Sequence, residues 1–178
     1  MKRRFNPSTA VLPCPVILLS VAGSERPNII TISWVANVCS APPTVVVGIR
    51  PTRHSHGLVT ETGDFVVNIP SEEQLEKAVL CGTRSGRDHD KFTECGFTAV
   101  PGTKVKSPLI RECPVNIECV VQQTMKLGVH DLFIAEVVAV HIAESMLDER
   151  GRLDVSKLKP FTYVPLTGHY WSLGSLLK

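Results

Sequence analysis

Arg50-Pro51-Thr52-Arg53-His54-Ser55-His56 brings two arginines, two histidines and two hydroxyls into one short stretch of chain. Pro51 ends the apolar run Thr44–Ile49 before it, because proline has no N–H to give a ladder. Leu58, Val59 and Thr60 follow and read as a short helix, with Ser55 or Thr52 suited to its N-cap. Backbone N–H groups at a helix start, beside an arginine fork, make a phosphate site. A solvated basic loop has the same composition. A second stretch, Asn28–Ser40, decides between them. Ile30 and Ile32 alternate there with Thr31 and Ser33, a period of two that predicts a strand with one apolar and one hydroxyl-bearing face. Trp34, Ala36 and Ser40 carry the chain into a loop closed by Pro42 and Pro43. A row of small hydroxyls suits a flat polar ligand; a half-buried strand facing water would also show it. Hydroxyls on one element and cations on the next favour the ligand.

These groups need a scaffold. Val16–Val21 reads as a first strand and Gly23–Pro27 as a turn. Asp64–Ile69 is an apolar strand entered from Gly63. Ser71 and Gln74 form a capping box for a helix that carries Leu75, Ala78 and Val79 on one face and ends before Gly82. Thr83–Asp90 reads as a flexible, exposed charged loop, and Phe97–Gly102 as a short strand or bend. Lys104 and Lys106 flank Val105 as on an edge strand. Val115–Gln123 alternates, and Leu132–Ala143 is apolar on both faces, hence central or at an interface. Lys126–Asp131 joins these two strands. Asp154 caps a short helix at Val155–Leu158, and Phe161–Val164 is a last short strand. Many short strands with few helices predict an all-β barrel or sandwich with peripheral short helices.

The 178 residues fit one domain, 1–178, large enough to bury a core. A net charge of +2 argues against nucleic acid or an anionic membrane as partner. No apolar run has the length of a membrane-spanning helix. The basic Met1–Arg4 and the apolar Val11–Val21 are interrupted by Pro13 and Pro15, unlike a signal peptide. The six cysteines include no C-x-x-C pair, so free thiols in a reducing cytoplasm are expected. Cys39 closes the hydroxyl strand, although core filler is the better reading for a free cysteine. His54-x-His56 fits a phosphate loop better than a metal site. No G-x-G-x-x-G follows a strand, so a Rossmann cofactor site is not supported.

The order N-x-x-T-x-S-W, Pro-Pro, then R-P-x-R-H-S resembles the flavin reductase-like, FMN-binding split-barrel family, in particular its flavoredoxin and archaeal-type flavin reductase branch. E-T-G-D-F-V-V-N-I-P (Glu61–Pro70), S-G-R-D-H-D-K-F (Ser85–Phe92), G-V-H-D-L-F-I-A-E-V (Gly128–Val137) and H-Y-W-S-L-G (His169–Gly174) extend the likeness over nearly the whole chain. It implies a Greek-key split β-barrel and a homodimer with FMN near the interface.

The implied cofactor-binding set is Asn28, Thr31, Ile32, Ser33, Trp34, Ala36, Cys39, Ser40, Arg50, Arg53, His54, Ser55, Lys91 and Tyr170. Thr31, Ser33 and the Trp34–Ala36 backbone would face the ring and ribityl chain. Arg53, His54 and Ser55 would hold the phosphate. Lys91 matches a family lysine that reaches the phosphate; alone it reads as a solvent charge. His130, in G-V-H-D, matches a G-D-H segment that meets nicotinamide in related reductases, with Val129 in place of the acid. A turn histidine in a hairpin is the other reading. His169, Tyr170 and Trp171 would cover the flavin or the partner subunit, or pack on their own barrel. Three functions stay open: an NAD(P)H-dependent FMN reductase, a flavoredoxin-like carrier reduced by a protein donor, and a flavin-binding member without turnover. NADH or NADPH is the donor for the first, with a small-molecule or protein acceptor.

Overall fold

The computed structural model describes residues 1–177. In chain order the strands and helices are β1 (Cys14–Pro15), β2 (Ile17–Val21), β3 (Asn28–Ile32), β4 (Val35–Ser40), β5 (Pro43–Ile49), α1 (His54–Thr62), β6 (Asp64–Ile69), α2 (Leu75–Thr83), α3 (Lys91–Cys95), β7 (Ala99–Val100), β8 (Leu109–Ile110), β9 (Val115–Leu127), β10 (His130–Ile142), α4 (Val155–Leu158), β11 (Phe161–Val164) and β12 (His169–Ser172). Seven strands form one antiparallel sheet in the order β3-β2-β6-β9-β10-β5-β4. The two edges of that sheet, β3 and β4, are joined by only Ser33 and Trp34. Ile32 and Val35 are three steps apart and at most ~11 Å from each other, so the sheet must curl until its edges come close. That is a barrel with a split beside β3. Among the described residues β3 pairs only with β2, which leaves its other edge outside any ladder.

Alternation sorts the side chains. Ile30, Ile32, Val45, Val47, Ile49, Phe65, Val67, Phe133 and Ala135 fill the barrel. On the outside of β2 and β3, Leu18 and Ile29 form a second core with Ala78 and Cys81 of α2, Phe92 of α3 and Phe161 of β11. The helices therefore shield one outer face, next to the split.

Several expectations are corrected. Val35–Ser40 is a strand rather than a loop, paired with β5 from Val35↔Val47 to Ser40↔Pro43. Helix α1 is capped by Arg53, with no side-chain cap, so neither Ser55 nor Thr52 serves as N-cap. The capping box forms, with Gln74 Oε1 accepting the Ser71 N–H at 3.0 Å, but α2 runs past Gly82 to Thr83. Lys104–Lys106 is not a strand. The N–H groups of Thr103, Lys104 and Val105 donate to the Glu118 carboxylate, and those of Lys106 and Ser107 to Asp64, so none is left for a ladder. β9 and β10 run longer than expected and meet at the tight turn Gly128-Val129, where Gly128 takes φ 58°. Phe161–Val164 is not the last strand, because β12 pairs with it from Phe161↔Ser172 to Val164↔His169.

Candidate functional site

The site grows from the close approach of α2 to β3. Thr31 Oγ1 donates to the Ala78 carbonyl across that contact. A Cβ added to Gly82 would lie 3.2 Å from Thr31 Cβ, so glycine is what lets the helix rest on the strand. The chain after α2 is equally tight. A Cβ at Gly86 would fall 2.0 Å from Asn28 Oδ1, and Asn28 Nδ2 in turn donates to Ser55 Oγ at 2.7 Å. Gly86 is buried, so the Thr83–Asp90 segment is a packed turn at its centre, not a wholly exposed loop. Asp88 N and His89 N both donate to the Ser85 carbonyl.

Two confluent clefts result. The larger, about 360 Å³, lies over the outer edge of β3 and is lined by Thr31, Ile32, Ser33, Trp34, Gly48, Arg50, Arg53, Val79, Gly82, Thr83, His130, Tyr163 and Tyr170. That volume is within the usual range for small-ligand sites. The wall includes the outer edge of β3 and the rings of Trp34, Tyr163 and Tyr170. Tyr170 packs against Tyr163 at 5.4 Å between ring centroids and edge-on to Phe161 at 5.9 Å. Burial, then Tyr163, pushes the Tyr170 phenol pKa up, so it stays protonated. Trp34, also in the wall, lies 6.2 Å from the His130 ring. Arg50 Nε donates to His130 Nε2 at 3.4 Å. Burial and then the Arg50 charge hold the His130 pKa below its ordinary value. His130 therefore sits there as a neutral imidazole, an acceptor toward Arg50.

The smaller cleft, about 130 Å³, opens from the first through Ile30, Arg53 and Gly82. Asn28, Thr52, His54, Ser55, Cys81, Arg84, Ser85, Gly86, Arg87 and Lys91 complete its wall, which contains no carboxylate. Lys91 is 3% exposed. Its Nζ donates to the Ile29 and Cys81 carbonyls, each at 2.8 Å, and has no anionic partner. A buried cation that is hydrogen-bonded but not neutralised is costly. Burial pulls its pKa down, and Arg53 pulls the same way. Burial and then Arg87, Lys91 and Arg26 depress that of His54. Helix α1 points its uncapped start here, with no acidic residue in its first turn. A phosphate dianion would supply the missing negative charge.

Most residues expected in the site line one of these clefts. Thr31 is there, but its hydroxyl is committed to Ala78. Lys91 is a buried donor, not a solvent charge. Ala36, Cys39 and Ser40 line neither cleft and lie exposed on β4. His169 and Trp171 point outward while Tyr170 points in, as period two requires. Sequence reading missed Tyr163, Val79, Thr83, Arg84, Ser85 and Arg87. Tyr163 was findable: a Tyr-Val strand followed by Gly168 and a second aromatic strand is a hairpin signal.

Comparison with known proteins agrees with this fold. The solved flavoredoxin of Desulfovibrio vulgaris (Miyazaki F) superposes with a TM-score of 0.94 at 32% identity, over 100% of this chain and 96% of that one. A protein of Archaeoglobus fulgidus is 36% identical over 138 residues, 78% of this chain and 77% of its own length. An NADH-dependent FMN reductase of Streptomyces nodosus subsp. asukaensis is 26% identical over 144 residues, 81% of this chain and 77% of its own. The family model described as flavin reductase like domain matches residues 9–170, and the chain belongs to that family.

Proposed function

We propose that this chain is a single-domain FMN-binding oxidoreductase, which takes electrons from a reduced nicotinamide and passes them to an acceptor. The observation that carries this reading is the pair of confluent clefts. One is flat-walled and aromatic, the other cationic and free of carboxylate, and Arg53 lines both. They match the two ends of FMN. The residues fit the group: the buried, unneutralised Lys91 ammonium is already placed for a phosphate.

FMN when bound supplies the two-electron chemistry. The chain's part is placement. The outer edge of β3 and Ser33 offer hydrogen bonds to a ring edge. Tyr170 and Trp34 wall the plane and exclude water. Lys91, Arg53, His54 and the start of α1 fix the phosphate. His130 and Arg50 line the same cleft, and a nicotinamide beside them would lie close to the flavin, as hydride transfer needs. Neutral His130, with Nε2 accepting from Arg50, can donate its Nδ1–H to the nicotinamide carboxamide oxygen.

The likeness to flavoredoxin favours a second reading, a carrier reduced by a protein donor. Val129, where the acid of the nicotinamide segment is expected, points the same way. Anaerobic addition of NADH or NADPH to the FMN-loaded protein separates the readings. Bleaching of the flavin absorbance within seconds is expected. An unchanged spectrum with both nucleotides, alongside prompt reduction by dithionite, would leave the carrier.

A further inference from the structure

Two buried thiols meet beside the smaller cleft. Cys81 Sγ of α2 and Cys95 Sγ of α3 lie 3.6 Å apart. Cys81 is 0% exposed and Cys95 4%. Lys91 and Cys95 stand one helical turn apart on α3, hence on one face of it. Both grip the same residue: Lys91 Nζ donates to the Cys81 carbonyl at 2.8 Å, and Cys95 Sγ meets the Cys81 sulfur. The chain between the two cysteines carries Arg84, Ser85, Gly86, Arg87 and Lys91, all of them in the wall of the smaller cleft. Burial pushes both thiol pKa values up. For Cys95 the hydrogen bond with Cys81 offsets this in part, so Cys95 is the readier nucleophile.

We propose that Cys81 and Cys95 are a redox modification site, which hydrogen peroxide closes to a disulfide and which then loosens the hold of the smaller cleft on a phosphate. The effect on the cleft rests on the flavin reading above; the bond itself does not. Reduced flavin and dioxygen yield peroxide, so the oxidant would arise beside its target. The Cys95 sulfur takes one peroxide oxygen as the O–O bond breaks, and the other oxygen leaves as water with the thiol proton, which gives a sulfenic acid. The Cys81 sulfur then displaces that hydroxyl, which departs as a second water with the Cys81 proton. The two sulfurs lose two electrons and the peroxide gains them. α3 is only five residues long, and brief opening of so short an element admits a molecule little larger than water. A disulfide bond is much shorter than the present contact. α2 is seated on β3 through Gly82 and the bond from Thr31 to Ala78, so α3 is the element that moves, and Lys91 moves with it.

The full chain, flavin-free and reduced, is treated with hydrogen peroxide, then denatured, alkylated and mapped by mass spectrometry. Peptides joined through Cys81 and Cys95 are expected, and dithiothreitol should part them. Fluorescence titration before and after peroxide should show FMN weakened about tenfold, the size of one charge-assisted hydrogen bond, with riboflavin unchanged within about twofold. Peroxide should leave the FMN affinity of Cys95→Ala alone. If that variant does not fold, recovery of FMN affinity with dithiothreitol in the unaltered chain makes the same point. Cys81 and Cys95 both still open to alkylation, or Cys81 joined to Cys113 instead, would overturn the proposal. So would a mapped Cys81–Cys95 bond that leaves FMN affinity as it was. Failure of the reduced chain to bind FMN would overturn the flavin reading and the effect on the cleft, while the peptide map would still decide the modification.

Discussion

Arg53 is where the two halves of the site meet, and its replacement separates them. Arg53→Ala should cost roughly 1.5–3 kcal/mol of FMN binding, the worth of a hydrogen bond to a charged group. Riboflavin, without a phosphate, should lose little. Equal losses for both ligands would show that Arg53 acts through folding or the ring. A second substitution tests the packing that shapes the phosphate cleft. Gly86→Ala would drive a methyl into Asn28 and to within 2.9 Å of His54 Cδ2. Overpacking of this kind typically costs ~1–3 kcal/mol. A lower melting temperature and weaker FMN binding should appear together; a variant that melts as the parent does would contradict the tight contact. Much of the site was legible at this scale, because arginine, histidine and hydroxyls close in sequence announce an anion site. Alternation alone puts the Thr31 hydroxyl on a ligand face, since it gives a face but not the helix that covers it. Lys91 needed the family likeness, because a lysine in a charged stretch looks like solvent surface until its burial is seen.

At the scale of elements, the segment 103–107 shows what alternation cannot report. It reads as a strand, but two buried carboxylates take its N–H groups. Glu118 accepts from Thr103, Lys104 and Val105, and from His141 Nε2 at 2.6 Å. Burial alone would raise its pKa. The Thr103 hydroxyl and N–H, His141 and the Lys104 N–H outweigh that and bring it to about 2 from the ordinary 4.5. A depressed carboxylate stabilises the fold above its unfolded value and loses that contribution as pH falls toward the folded one. At about 1.36 kcal/mol per unit, the interaction is worth roughly 3 kcal/mol, present above about pH 4.5 and gone near pH 2. Urea unfolding of Glu118→Gln should show a loss of that order at neutral pH and a flatter dependence between pH 4.5 and 2. An unchanged acid slope would contradict the assignment. β4 was missed for a different reason. Its residues 36–40 are all exposed, so no buried face imposed a pattern on Val35–Ser40. The helix following the capping box was legible because Ser71 and Gln74 satisfy each other locally.

For the whole molecule, the outer face of the long β9–β10 hairpin is unusually apolar. Leu127 lies opposite His130 and Met125 opposite Leu132, so these share one face with the larger cleft. Leu127 is 59% exposed and Met125 45%. A second copy of this chain is the proposed cover, which would place the flavin near the seam. A ligand held by the assembled form strengthens it by mass action. Sedimentation at tens of micromolar should show a dimer whose dissociation is suppressed by FMN. A monomer with FMN fully bound would rule out a shared site. The barrel itself was legible from the many short strands. Its closure was not, since it depends on β3 and β4 taking opposite edges of the sheet, a long-range outcome with no local signal.

The central claim is that the two clefts are the two ends of an FMN site. Titration of the flavin-free protein with FMN, followed by flavin fluorescence, tests it most directly. Quenching should saturate at one equivalent per chain at micromolar concentration, and riboflavin should bind about ten times more weakly or worse for want of the phosphate contacts. No quenching, or equal affinity for the two, would contradict the account.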